Sequence, residues 1–221
     1  MFVIALDGPS ASGKSTVADL LAKKYNLIHI DSGAMYRAYT LYCLKNNIDI
    51  KNEKECSKVA NNIHINFGKN KEVFLNDVDV SKEIRSIEVS DAVSFVSSYK
   101  DVRLYLINEQ RKLALKNPII MDGRDIGTFV FPNANIKLYT VASSKTRAAR
   151  RFKENQKKGI KCSYDEVLSN IEKRDYIDSH RSFDPSKQAE DAILIDTSNL
   201  SIEQVVNKCI EIIDKKLKEN I

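Results

Sequence analysis

The chain has 221 residues, 43% of them hydrophobic and 29% charged, with a net charge of +5. These proportions are ordinary for a soluble globular chain with room for one α/β domain and an inserted subdomain; no apolar run approaches the roughly 18–20 residues of a membrane span. The N-terminus has no charged n-region and Asp7 interrupts its apolar stretch, so no signal peptide is expected, and four scattered cysteines (Cys43, Cys56, Cys162, Cys209) suit the reduced thiols of a cytoplasmic protein better than zinc or disulfides.

The first apolar run, Phe2–Leu6, reads as a strand and leads directly into Gly8-Pro9-Ser10-Ala11-Ser12-Gly13-Lys14-Ser15. This is the spacing G-x-x-x-x-G-K-[ST], and a strand before it is the context that makes it a phosphate loop. Gly8 and Gly13 let the backbone curl so that successive N–H groups face phosphate oxygens. Apolar Val17, Ala18, Leu20 and Leu21 at helical spacing predict a helix over about 14–25, whose positive end faces the anion. Lys14 is expected to reach the β- and γ-phosphates and Ser15 to ligate Mg²⁺.

Leu27–Ile30 predicts a second strand, followed by Asp31-Ser32-Gly33 and a helix over about 34–46. Asp31 or Ser32 can cap that helix, and Arg37 one turn later suits bidentate phosphate recognition. The segment from about 51 to 97 breaks the rhythm. Ile63–Phe67 and the residues around Phe74 alternate with period two, with Gly68-Lys69-Asn70-Lys71 as a hairpin turn and Asp77–Val80 as a third short strand. A small antiparallel insert is expected there.

A helix over about 101–116 precedes the strand Ile119–Met121, which ends in Asp122-Gly123-Arg124-Asp125. An Asp after an apolar strand in a phosphate-loop protein often serves Mg²⁺, here Asp122. Arg124 and Asp125 belong either to the site rim or to surface pairs. Ile136–Val141 predicts another strand. Between Lys145 and Lys161 lie eight basic residues and one acidic residue, Glu154, with Arg147, Arg150 and Arg151 on a helix over about 144–158. That clustering fits a cationic lid over a phosphate site. A helix over about 164–178 follows. Arg174, Asp178 and Arg181 share one helical face, which spacing alone reads as a surface ion-pair ladder. Ile193–Ile195 and a helix over about 201–218 complete the pattern. His29, His64 and His180 are isolated and receive no catalytic role.

Strands alternating with helices predict a parallel sheet covered on both faces, with ligands at the carboxyl ends of its strands. Three such ends carry Asp and Gly. The basic balance has two functional readings, an anionic small substrate or nucleic acid. The position of the arginines favours the first.

Taken together the motifs resemble those of the bacterial cytidylate kinases, phosphate-loop nucleoside-monophosphate kinases that act on CMP and dCMP. The matching stretches are residues 7–16, 31–37, 79–85 and 122–132, with Arg174-Asp175, Asp178 and Arg181 completing the set. The resemblance spans essentially the whole chain. It implies a five-stranded parallel core flanked by helices (about 1–50 and 98–221), a nucleotide-binding insert (about 51–97) and a lid (about 147–161) in a single domain. It implies that Gly8, Pro9, Ser10, Ala11, Ser12, Gly13, Lys14, Ser15 and Thr16 hold ATP. Ser32, Arg37, Arg124 and Arg181 would surround the CMP phosphate, Ser94, Arg103 and Asp125 the cytosine, and Arg174 and Asp178 the ribose. Arg147, Arg150 and Arg151 match the lid. The chain departs from the family pattern at Ser15, where many relatives have Gly, and at Ser182-Phe183-Asp184-Pro185, where an Ala-Pro-Leu-like turn is common.

The expected activity is Mg²⁺-dependent transfer of the ATP γ-phosphoryl group to CMP or dCMP, by a monomer, with neither nucleic acid nor membrane as partner. The attacking phosphate oxygen is already ionised, so positioning and charge stabilisation by Lys14, Arg124 and the lid arginines would carry the rate. Another acceptor, such as UMP, dTMP or a small metabolite, is the alternative within the same chemistry. A carboxylate at Asp125 accepts from the cytosine amino group and repels the carbonyl that uracil presents there.

Overall fold

The computed structural model describes residues 1–68, 71–157 and 159–219. Its first elements are β1 (Val3–Asp7), α1 (Lys14–Tyr25), β2 (Ile28–Asp31) and α2 (Ser32–Lys45). Next come α3 (Glu53–Lys58), β3 (Ile65–Phe67), β4 (Val73–Leu75), β5 (Val78–Asp79), α4 (Ile87–Val96) and α5 (Lys100–Ala114). The rest are β6 (Ile119–Gly123), β7 (Ile136–Val141), α6 (Ser144–Lys157), α7 (Tyr164–His180), β8 (Ile193–Asp196) and α8 (Ile202–Glu219).

Five strands form one sheet in the order β2-β6-β1-β7-β8, with every pairing parallel. β1 is its centre and is buried along its whole length. Side chains alternate across a strand, and β1 divides its residues accordingly. Val3 and Ala5 pack with Met35, Tyr39, Val102 and Leu106 from α2 and α5. Ile4 and Leu6 pack on the other face with Val17, Leu21, Val205 and Ile213 from α1 and α8. Burying a side chain of this size contributes about 1.5–3 kcal/mol, so the two layers hold the carboxyl ends of the strands rigidly in register. Asp7, Asp31 and Asp122 gather there: Asp31 pairs with Asp122, and Asp7 with Gly123.

Local chemistry explains the helix boundaries. α2 starts at Ser32, earlier than the spacing predicts, because the Asp31 side chain accepts the Ala34 N–H at 3.0 Å and caps the helix. α7 has a full capping box, with Ser163 and Glu166 each accepting the other's backbone N–H. α8 carries Val205, Cys209 and Ile213 inward at a spacing of four.

The insert has the expected antiparallel sheet, in the order β3-β4-β5. Residues 69 and 70 of its hairpin turn lie outside the described residues. Two helices were not expected. α3 is six residues long and buries only Cys56, too little for a periodic signal. α4 is rich in Val and Ser, weak helix formers, and is stabilised by its Ser86 cap and its packing on α2 and α7. The basic segment over 144–157 is helix α6, packed along α7 through Ala148, Val167 and Ile171. Residue 158, within the expected lid, is outside the described residues.

Candidate active site

A cavity of about 2000 Å³ opens along the carboxyl edge of the sheet, between α1, the insert and the α6–α7 pair. Ligand pockets usually measure about 300–1,000 Å³, so this one has room for two nucleotide-sized molecules. The phosphate loop forms one wall. Gly8 has φ +147°, and a Cβ there would lie 2.2 Å from the Thr140 carbonyl oxygen on β7. Only glycine meets both demands. Gly13, at φ +89°, turns the chain into α1. Ser10 to Thr16 line the cavity; Gly8 lies behind them, and Pro9 faces a smaller recess beside Arg124 and Asp178. Lys14 Nζ donates to the Pro9 carbonyl at 2.8 Å and to Ser12 Oγ at 3.3 Å. Burial, then repulsion from Arg124, pushes the Lys14 ammonium down to about 7.

Beside Lys14, Ser15 Oγ donates to Asp122 Oδ2 at 2.8 Å. The other Asp122 oxygen lies 2.8 Å from His29 Nε2. Burial opposes ionisation of Asp122, but His29, Lys14 and the Ser15 hydroxyl more than offset it and hold its pKa below the usual range. A hydroxyl and an ionised carboxylate are hard oxygen donors. Set next to a phosphate loop, they fit Mg²⁺, which takes one or two protein ligands and completes its shell with phosphate oxygens and water. His29, dismissed by the sequence reading as isolated, is thus the group that orients Asp122.

Arginines crowd the middle of the cavity. Arg37 Nη1 donates to the Ile84 carbonyl at 3.2 Å and to Ser90 Oγ at 2.9 Å, tying α2 to the insert. Arg124 reaches Asp178 at 3.3 Å from its Nε. Arg174 Nε is buried and has no hydrogen-bond partner among the described residues. Burial, then repulsion among Arg37, Arg124, Arg151 and Arg174, pushes Arg37 down to about 9 and Arg174 to about 10. A multiply charged anion among them would relieve that repulsion. Ser32 lies at their edge and donates to the Asp122 carbonyl at 2.7 Å.

The third region is a buried corner. Arg103 is 1% exposed, stacks over the Tyr36 ring at 5.4 Å and contacts Asp125 at 2.5 Å and Asp184 at 2.6 Å through the same Nη2. Its Nη1 donates to the Ser97 carbonyl at 3.1 Å. Ser94 is buried nearby on α4 and lines the cavity. Asp7 accepts the N–H groups of Ile126 and Gly127 at 2.9 and 2.7 Å, docking the π-helical turn after β6 and so locating Asp125. Arg181, expected near a phosphate, lines the same cavity at this corner, its Nη2 3.7 Å from Asp125 and its Nη1 3.8 Å from Asp178.

The three arginines of α6 separate. Arg147 is buried outside the cavity lining, donates to the carbonyls of Ala142 and Ser10 and pairs with Asp175 at 2.6 Å. Arg150 lines the cavity and donates to the Thr197 carbonyl at 2.5 Å. Arg151 also lines it, 3.5 Å from Glu154. Arg85 reaches the cavity from the insert and lies 3.5 Å from Asp31.

The family model for cytidylate kinase matches residues 4–215. The chain belongs to the cytidylate kinase family. A cytidylate kinase from Fusobacterium nucleatum is 49% identical over 217 residues, covering 98% of this chain and 97% of the relative. One from Leuconostoc mesenteroides is 48% identical over 98% of each chain. One from Clostridioides difficile is 48% identical over 94% of this chain and 96% of its own. Among solved structures, a gluconokinase from Sinorhizobium meliloti has a TM-score of 0.51 at 12% identity, covering 99% of this chain and 94% of its own. That likeness is one of fold.

Proposed function

We propose that the chain transfers the γ-phosphoryl group of ATP to CMP or dCMP, giving ADP and CDP or dCDP. The observation that carries this reading is the continuity of one cavity from the phosphate loop, through the crowded arginines, to the Asp125–Arg103 corner. In-line transfer needs a donor phosphate, an acceptor phosphate and a means of holding the acceptor's base, in that order along a line.

Residues 8 to 16 hold ATP, with backbone N–H groups and Lys14 on its phosphates. Ser15 and Asp122 would hold Mg²⁺, which would supply charge neutralisation to the ATP phosphates when bound. Arg37, Arg124 and Ser32 receive the CMP phosphate. Arg174 and Asp178 take the ribose hydroxyls. Asp125 accepts from the cytosine amino group, with Ser94, Arg103 and Arg181 around the ring. Arg150 and Arg151 supply positive charge to the transferring group from α6. Arg147 acts through Ser10, whose carbonyl it fixes, and so shapes the phosphate loop. The acceptor phosphate attacks as an anion, so no general base is needed. The insert over about 51–97 and the lid over about 147–161 close over the nucleotides and exclude water. Cation placement around the cavity supports nucleotides over nucleic acid as the partner. Action as a cytoplasmic monomer is part of the same proposal.

The test is an ADP-release assay with ATP and Mg²⁺ against CMP, dCMP, UMP, AMP, GMP and dTMP. Fast release with CMP and dCMP alone is expected. Equal or faster release with another monophosphate overturns the acceptor assignment, and no stimulation by any overturns the kinase reading.

A further inference from the structure

Asp184 sits where no motif called for a carboxylate. It follows α7 at φ +49°, in the left-handed region, and its side chain is 4% exposed. Its Oδ2 lies 2.6 Å from Arg103 Nη2, the nitrogen that also meets Asp125 Oδ2 at 2.5 Å. Asp125 and Arg103 line the cavity, whereas Asp184 stands behind them. The loop is pinned there independently: Arg181 Nε donates to the Asp184 carbonyl at 2.5 Å, and Phe183 packs edge-on against Phe129 at 5.1 Å.

The groups facing Asp184 are Arg103 from α5, Asp125 from the end of β6, Arg181 at 4.0 Å from the end of α7 and the Tyr36 ring region from α2. Two carboxylates on one buried nitrogen do not both ionise without strong repulsion. Burial, then Asp125, pushes Asp184 up to about 8. For Asp125 burial opposes ionisation, but Arg103, the hydrogen bond with Asp184, Arg181 and Arg124 hold it below the usual range. Asp184 therefore keeps the proton and Asp125 the charge.

The geometry points to Asp184 as a positioning residue for base recognition: as the neutral acid it donates to Asp125, fixing that carboxylate and Arg103 for a cytosine ring. The inference rests on the reading of Asp125 as the base contact. Loss of the Asp184 proton to solvent would set two anions against each other and draw Arg103 between them, so the base site would weaken. Asn at this position keeps a donor and does not titrate.

Calorimetric binding of CMP, without ATP, to the wild-type chain and to Asp184→Asn across pH 7 to 9 tests this. With an apparent pKa near 8, about one tenth of wild-type molecules keep the proton at pH 9, so CMP binding should weaken about tenfold. Asp184→Asn should lose this tenfold decline and keep only the shallower one, about twofold by pH 9, that Arg37 contributes from its place beside the CMP phosphate. Parallel profiles, or a flat wild-type profile, overturn the role of Asp184. Asp125→Ala separates the two levels: an unchanged CMP-over-UMP affinity ratio overturns the reading of the base site itself. A reduced ratio with parallel pH profiles overturns only the inference about Asp184.

Discussion

His29 Nε2 and Asp122 Oδ1 meet at 2.8 Å across two neighbouring strand ends, from positions 93 residues apart. Because Ser15 holds the opposite oxygen, His29 determines the plane of the carboxylate proposed to carry Mg²⁺. Partners behind a metal ligand typically contribute about 10–100-fold in metal affinity. His29→Ala should therefore weaken Mn²⁺ binding, followed by electron paramagnetic resonance with ATP present, by about tenfold or more. Unchanged Mn²⁺ affinity would remove His29 from the site.

Lys14 gives a rate prediction and a pH prediction. Lys14→Ala should lower kcat by about 10²–10³, the scale of losing one preorganised donor to a transition state. The ammonium is displaced down to about 7, so its charged form declines as pH rises through 7. The kcat/KM for ATP, which reports free-enzyme ionisation, should fall above that pH. Lys14→Arg, whose cation does not titrate, should flatten this limb whatever its absolute rate. A limb that persists in Lys14→Arg assigns it to another group.

Gly8→Ala tests the geometry of the phosphate loop. The new Cβ would meet Thr140 backbone at 2.2 Å and occupy φ +147°. Overpacking of this kind costs about 1–3 kcal/mol before the backbone strain is added. Thermal denaturation should show a melting temperature lower by roughly 2–12 °C for a chain of this size. An unshifted transition would mean that β7 and the loop are not packed as described.

Asp125→Ala addresses the choice of base. A carboxylate paired with a cytosine amino group contributes about 1–3 kcal/mol of discrimination, roughly 5–150-fold. The CMP-over-UMP ratio of kcat/KM should fall within that range. Equal losses for both substrates would place the base elsewhere.

The parts of this fold legible in the sequence are those written in local spacing. β1 and the phosphate loop are contiguous, and the Asp-Gly ends of β2 and β6 identify the rim before any coordinates. The helices lost to the sequence reading, α3 and α4, lack a long periodic face and depend on packing against α5, α2 and α7. The site residues that escaped it act through distant partners. His29 has meaning only beside Asp122, and Asp184 only beside Arg103, 81 residues away. Arg147 shows the reverse: a basic cluster signals a cationic face but not which guanidinium turns inward to Ser10. Arg174, Asp178 and Arg181 fit a surface ladder by spacing, yet Asp178 and Arg181 are buried.

The central claim is phosphoryl transfer between nucleotides, and phosphorus NMR of ATP, Mg²⁺ and CMP with the purified chain tests it most directly. The account predicts CDP resonances growing in step with those of ADP, with little inorganic phosphate. ADP accompanied by inorganic phosphate and no CDP would contradict it.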